Sequence, residues 1–329
     1  MTRTALVTGA TGQDGIYLCR LLQADGVRVV GTVNPAGNGA GRAEAYLDGV
    51  DLVPVDIRDA SALDNLVRRT EPDEVFHLAA FTSVGQSWNA PEEAMGVNHQ
   101  AVVDLLESVM AASARIHKQI RFFQASSAEL IGDAAASPYA RAKQAAAEAV
   151  HDARARGLHA STGILFNHES PLRSEAFVTR KITRAAAAIA LGRTDRVDLG
   201  NLEVVRDWGF AGDFVQAMRA MVRLDDPTDL EIGTGLAHSL EDLLAVAFEA
   251  AGLSDPMSYV HQDPALLRPA DTSFSGADTA PAAAALDWRA TTSFEATVQH
   301  MVEVDLRRLR SGVEESADYL DVTGASSAR

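Results

Sequence analysis

Short apolar runs closed by small or polar residues alternate with longer stretches whose apolar residues recur at helical spacing. This rhythm governs the first half of the chain. TALVT predicts a buried strand, and QDGIYLCRLLQADG a helix that stops at Gly26. VRVVGTV, VDLVPVDIRD, EVFHLAA, QIRFFQASS and HASTGILFN predict further strands. Helices are predicted between several of them, over ASALDNLVRRTEP, AMGVNHQAVVDLLESVMAASA and SPYARAKQAAAEAVHDARARG. Strand–helix alternation of this kind builds a parallel sheet with helices on both faces. The expected fold class is therefore α/β: a Rossmann-type, doubly wound parallel sheet over residues 1–168.

After Asn167 the rhythm changes. A basic, loop-rich segment leads into the predicted helix FVTRKITRAAAAIALG, the short strands RVDLGN and LEIGTG, and the helices HSLEDLLAVAFEAAG and ATTSFEATVQHMVEVDLRRLR. Residues 169–312 are expected to form a smaller, mixed α/β substrate-binding lobe, partly interleaved with the first. Residues 313–329 end in VTGASSAR, which has no apolar periodicity, and are expected to be a flexible tail.

Composition narrows the function classes. A formal charge of −16 argues against general nucleic-acid or anionic-membrane binding. No apolar run approaches membrane-spanning length. The opening MTRTALVTGATG enters a strand directly, without signal-peptide anatomy, which sets a cytoplasmic expectation. The lone Cys19 excludes an internal disulfide, and the nine His show no ligand spacing, so no metal is expected. One region reverses the charge. From Arg173 to Arg206 there are seven basic residues (Arg173, Arg180, Lys181, Arg184, Arg193, Arg196, Arg206) against four acids, Glu175, Asp195, Asp198 and Glu203. The excess reads either as a solvated helix face or as a site for an anion.

Gly9, Gly12 and Gly15 punctuate the junction of the first strand and helix, with Thr11, Gln13 and Asp14 between them. Glycines there allow a tight turn and let backbone N–H groups approach a pyrophosphate. The spacing is G-x-x-G-x-x-G, and its position gives it more weight than the motif alone. Asp56 and Ile57 after the third strand, and Leu78, Ala79 and Ala80 at the end of the fourth, lie where such folds bind a cofactor. An acid at the end of the second strand would select NAD. The chain has Asn34 there, with Arg42 the nearest arginine, so NADP is favoured and NAD remains the alternative.

Tyr139 and Lys143, four apart on a predicted helix, share one face. An ammonium beside a phenol favours the phenolate, which can take a proton from a substrate hydroxyl during hydride transfer. Ser127, ending the preceding strand, could bond the same oxygen. Glu129 reads either as a solvated loop acid or as the extra acid/base a dehydratase needs: once C4 of a sugar is a ketone, the C5 proton becomes acidic and a carboxylate can pass it to the departing C6 hydroxyl.

VTGATGQDGIYL, LAAFTSVGQSW, FFQASSAELIG, GILFNHESP, FVTRKITRA, LGNLEVVRDWGFAGDFVQAM, IGTGLAHSLEDLLAVAFE and LRPAD together resemble the extended short-chain dehydrogenases/reductases, most specifically the GDP-mannose 4,6-dehydratases, to about residue 310. The resemblance implies a lyase that converts GDP-mannose, or a related GDP-hexose, to a 4-keto-6-deoxy sugar while recycling NADP. It implies Ser127, Glu129, Tyr139 and Lys143 as catalytic residues, Asn167, Val178 and Lys181 as nucleotide-sugar contacts, and Arg206 and Arg268 as diphosphate and ribose clamps. Asp271 stands where the family usually has Glu. His168 joins the cofactor candidates, and Ser83 and Gly200 the substrate candidates. Relatives form dimers or tetramers, so a homodimer or homotetramer is expected.

Four positions depart from the family pattern. Ser127 replaces Thr, Ser83 replaces His, Asn34-Pro35 replaces an Arg pair, and only nine residues separate Glu129 from Tyr139. The short connection keeps a nucleotide-sugar C4-epimerase or C4-oxidase on the same scaffold as the alternative. A non-catalytic cofactor-binding protein is the third reading, opposed by the intact Tyr139/Lys143 pair.

Overall fold

In a computed structural model, the structure describes residues 2–131, 137–266 and 274–322. Through the first half, strands and helices alternate as β1 (Thr4–Thr8), α1 (Gln13–Ala24), β2 (Arg28–Val33), α2 (Ala40–Tyr46), β3 (Asp51–Pro54), α3 (Ala60–Thr70) and β4 (Glu74–His77). There follow α4 (Val84–Ser87), α5 (Pro91–Met95), α6 (Ala101–Ile116), β5 (Arg121–Ala125), α7 (Pro138–Ala155) and β6 (His159–Leu165). Local chemistry sets the helix starts. Asp59 caps α3 by accepting from Ala62 N–H, and Ser137 caps α7 by accepting from Ala140 N–H, with Pro138 opening the first turn.

The remainder contains β7 (Asn167–Glu169), α8 (Val178–Ala190), β8 (Val197–Leu199), β9 (Val205–Phe210), α9 (Ala211–Arg223) and β10 (Asp229–Ile232). The last elements are β11 (Ala237–Ser239), α10 (Leu240–Ala250), β12 (Val260–Gln262), β13 (Phe274–Ser275), α11 (Ala280–Leu286) and α12 (Phe294–Ser311). No helix among the described residues is long and apolar enough to cross a membrane.

The chain forms two compact units. The first is Met1–Leu165, Phe214–Ile232 and Thr279–Trp288; the second is Phe166–Asp213, Gly233–Asp278 and Arg289–Arg329. The first holds a seven-stranded sheet in the order β10-β6-β5-β4-β1-β2-β3, every pair parallel. The order reverses beside β1, the switch point where open α/β sheets bind ligands at their C-terminal edge. Leu6, Val30, Val75, Phe122 and Ala160 of successive strands form one buried cluster with Leu63 and Leu66 of α3, Val102 and Leu105 of α6, and Ala146 and Val150 of α7. Cys19 is buried in α1, and burial pushes its thiol up to about 12, so it is an inert packing group.

In the second unit β9 pairs antiparallel with β11 and parallel with β7 and β13, while β8 pairs with β12. Ile182, Leu199, Trp208, Leu244, Phe248, Phe294 and Val302 are among its core.

Three sequence expectations are corrected. The helix over AMGVNHQAVVDLLESVMAASA carries a π turn at Gly96–Gln100, which turns Asn98 inward to bond the backbone of Phe81. HASTGILFN is two strands in different sheets, since β6 pairs with β5 and β10 but β7 pairs with β9. Residues 313–322 are not a free tail. Tyr319 and Leu320 are buried, His300 Nε2 meets Tyr319 O at 3.1 Å, and Arg308 Nε donates to Glu314 O at 2.7 Å. Residues 323–329 lie outside the described residues.

Candidate active site

The glycine turn is built by close packing. Gly9 has φ +72°, and a Cβ on it would sit 3.0 Å from both N and Cα of Ala79. A Cβ on Gly15 would fall 2.2 Å from Gly9 O, so α1 meets the turn backbone to backbone. Gly12 is exposed, and a Cβ there would meet only Gly9 O, at 3.2 Å. It is also the N-cap of α1 and brings no side-chain hydrogen bond. The first turn of α1 thus presents N–H groups behind an exposed glycine, the arrangement a pyrophosphate requires. These residues fit a dinucleotide.

Neighbouring candidates have defined tasks. Gln13 Nε2 donates to Asp14 Oδ1 at 3.2 Å. Gly39 packs against Thr11, where a Cβ would meet its Oγ1 at 2.7 Å. Asn34 Oδ1 accepts from Ala36 N–H at 3.0 Å, forming a turn after β2. Arg42 is half-buried on α2. Asp56 is bound by Arg58, whose guanidinium holds the carboxyl below its usual range. Ile57 packs on the core. The N–H groups of Leu78 and Ala79 both donate to Thr8 Oγ1 at 3.1 Å, and Ala80 follows half-buried.

The chemical groups gather where β5 ends and α7 begins. Ser127 caps a 3₁₀ turn at Ala128–Leu130 by accepting from Glu129 N–H at 3.2 Å. Glu129 sits in that turn, half-buried. Tyr139, in the first turn of α7, is buried, and its N–H donates to Ser87 Oγ at 3.2 Å. Lys143, one turn on, is 4% exposed; its Nζ donates to Ala125 O at 2.8 Å and lies 6.0 Å from the Tyr139 ring centroid. Burial pushes Lys143 down to about 8. Residues 132–136, within the short connection, lie outside the described residues.

Ser83 caps α4 by accepting from Gln86 N–H at 3.2 Å. In the second unit, Asn167 is half-buried on β7, and His168 Nδ1 meets Phe166 O at 2.7 Å. Val178 packs on that unit's core, and Lys181 lies half-buried on α8. A Cβ on Gly200 would meet Leu266 O at 2.8 Å. Arg206 is buried, with one amino group donating to Val205 O at 3.0 Å. Arg268 and Asp271 lie outside the described residues.

Five of the seven basic residues are engaged by other groups of the protein. Arg180 is 4% exposed and pairs with Asp305 at 2.6 Å. Arg173 pairs with Glu169, Arg184 with Glu175 and Glu314, and Arg196 with Asp198, while Arg193 donates to Leu309 O. Two of the acids, Asp305 in α12 and Glu314 after it, lie far along the chain from the basic segment.

Sequence reasoning passed over Ser87, Asn98, Thr8 and Gln124. The available signal was a polar residue closing or nearly closing several apolar strands: Thr8, His77 and Gln124.

A family model described as GDP-mannose 4,6 dehydratase matches residues 6–301. GDP-mannose 4,6 dehydratase 2 of Arabidopsis thaliana is 37% identical over 97% of this chain and 91% of its own length. GDP-mannose 4,6-dehydratase of Sinorhizobium fredii is 37% identical over 94% of this chain and 98% of its own. Among solved structures, MoeE5 in complex with UDP-glucose and NAD is similar at TM-score 0.78 and 25% identity, covering 94% of this chain and 100% of that one. UDP-glucose 4-epimerase of Thermotoga maritima shares the fold at TM-score 0.81 and 23% identity, covering 93% and 99%.

Proposed function

The chain belongs to the GDP-mannose 4,6-dehydratase family, and from that premise we propose that it converts GDP-mannose to the 4-keto-6-deoxy sugar with NADP as its recycled cofactor. The observation that carries this reading is the anchoring of a buried Lys143 at Ala125 O one turn from Tyr139, with Ser127 and Glu129 following on the same chain segment. The epimerase neighbours support the scaffold, while Glu129 and the family match favour dehydration.

Gly9, Gly12 and Gly15 with the first turn of α1 hold the dinucleotide pyrophosphate. The dinucleotide, when bound, supplies a two-electron acceptor that is reduced and re-oxidised within one turnover. The Lys143 ammonium favours the phenolate form of Tyr139, which accepts the proton of the C4 hydroxyl as that carbon is oxidised and becomes the neutral phenol. Ser127 donates to the same substrate oxygen. The C4 ketone acidifies C5. Glu129 removes the C5 proton and delivers it to the departing C6 hydroxyl, which leaves as water. The two electrons taken at C4 return at C6, and the proton held by Tyr139 balances reprotonation of C5. We assign Asn167, Val178, Lys181 and Arg206 to recognition of the GDP sugar, and read the enzyme as a cytoplasmic homodimer or homotetramer.

The test is incubation of the protein and NADP with GDP-mannose, read by mass spectrometry. Loss of one water with a 4-keto-6-deoxy product is expected. An isomer of unchanged mass would make it an epimerase, and no turnover would refute both.

A further inference from the structure

A row of buried polar side chains, unused by the chemistry above, crosses the sheet of the first unit. Thr8 pairs in register with His77, His77 with Gln124, and Gln124 with Thr162, on β1, β4, β5 and β6. None is more than 2% exposed. Parallel strands covered on both faces ordinarily carry apolar residues at such positions, because an amide or imidazole there gives up its water. The row is costly, and the hydrogen bonds of its members show what it serves.

At one end the hydrogen bonds fix a tautomer. Thr8 Oγ1 accepts from Leu78 N–H and Ala79 N–H, which occupies both lone pairs, so its own proton goes to His77 Nδ1 at 2.8 Å. The imidazole therefore carries its proton on Nε2. Burial pushes His77 down to about 3, and Lys143 is the one charged group acting on it among the described residues. On the third strand of the row, Gln124 Nε2 donates to Ala125 O at 3.0 Å, the oxygen to which Lys143 Nζ donates at 2.8 Å. This bond fixes the Gln124 amide orientation. Among the described residues, His77 Nε2, Gln124 Oε1 and Thr162 Oγ1 of this row have no hydrogen-bond partner.

We propose that Gln124 and His77 are positioning residues for Lys143. Gln124 steadies the carbonyl that anchors the ammonium, and His77, held by Thr8 as the Nε2–H tautomer, places no second positive charge near it. An ammonium held by one oxygen can pivot about that bond; a second donor on the same oxygen restricts the carbonyl itself. A charged imidazole in the adjacent register position would repel the ammonium that Tyr139 needs. This inference rests on the reading of Lys143 as the partner of Tyr139.

The full chain tests it. Gln124→Met keeps length and removes the amide. With NADP and GDP-mannose, kcat should fall about three- to tenfold while KM stays within about twofold. In the protein without ligands, carbon-13 relaxation at Lys143 Cε should show greater mobility in Gln124→Met than in the wild type. Nitrogen-15 spectra of wild-type histidines should show His77, assigned by its loss in His77→Asn, as the neutral Nε2–H form from about pH 8 to about pH 5. Unchanged kcat with unchanged Lys143 mobility, or a charged or Nδ1–H His77 in that range, overturns the proposal. Absence of wild-type turnover would overturn the dehydratase reading instead, and the two ligand-free measurements would still decide this one.

Discussion

The ammonium of Lys143 lies 2.8 Å from the carbonyl oxygen of Ala125, the last residue of β5, and is almost wholly shielded from solvent there. Among the described residues, one backbone oxygen replaces most of the water that a lysine ordinarily keeps. The position is costly for stability and suited to chemistry, because a poorly solvated charge acts strongly on a neighbouring phenol.

The first prediction follows from that cost. Folding lowers Lys143 from 10.5 to about 8, so the penalty is full below about 8 and fades as pH rises toward 10.5. Lys143→Met should therefore be more stable than the wild type near neutral pH, by up to about 3 kcal/mol. The gap should close in strong alkali, and turnover should fall at least about a hundredfold. Urea melts at neutral and alkaline pH check it, and a Met variant less stable at neutral pH would contradict it.

Glu129→Gln should separate the two halves of the reaction. Oxidation at C4 needs Tyr139 and Lys143, and water loss needs the carboxylate. Reduced nicotinamide should still form, while the dehydrated product falls by about 10²- to 10⁴-fold. Absorbance of the reduced cofactor and mass spectrometry of the sugar read the two steps, and normal dehydration would remove Glu129 from its role.

Gly15→Ala and Gly41→Ala make a matched pair. The first places a methyl 2.2 Å from Gly9 O, whereas nothing lies within 4 Å of the second. The first should cost about 1–3 kcal/mol through backbone overpacking and abolish NADP binding. The second, in α2, should be neutral or stabilising by up to about 1 kcal/mol. Calorimetric melts and cofactor titration distinguish them; equal behaviour would mean that the turn is not tightly packed.

The basic segment can be divided by experiment. Asp305 is fully buried and accepts from Arg180 and Thr183, so Asp305→Asn should cost about 3–5 kcal/mol by leaving a guanidinium without its counter-charge. Lys181→Met should leave the melting temperature within a few degrees and raise KM for GDP-mannose about tenfold. A melt and a KM determination on each variant check this. If Lys181→Met leaves KM unchanged, Lys181 is not a substrate contact.

Much of the sheet was legible because each strand is a short apolar run and each turn carries a glycine or a cap. The glycine turn, Tyr139 and Lys143 were legible for the same reason: their spacing is local. The fates of Arg180 and Arg184 were not, since Asp305 and Glu314 lie more than a hundred residues away. A local count of charge says nothing about partners brought in by topology. The split of HASTGILFN was hidden too, because Phe166 is as apolar as the strand residues before it, and only pairing with β9 shows that the path has moved to another sheet. Asn98 looks like an ordinary helix residue until the π turn faces it toward Phe81.

The two compact bodies are stitched from alternating pieces, with handovers after Leu165, Asp213, Ile232, Asp278 and Trp288. Neither body can be released by one protease cut or exchanged by one recombination point. A change of sugar preference must therefore arise by substitution in place or by concerted splicing at all five seams. Lineages that diversify this scaffold are confined to editing residues and loops, and cannot shuffle whole modules.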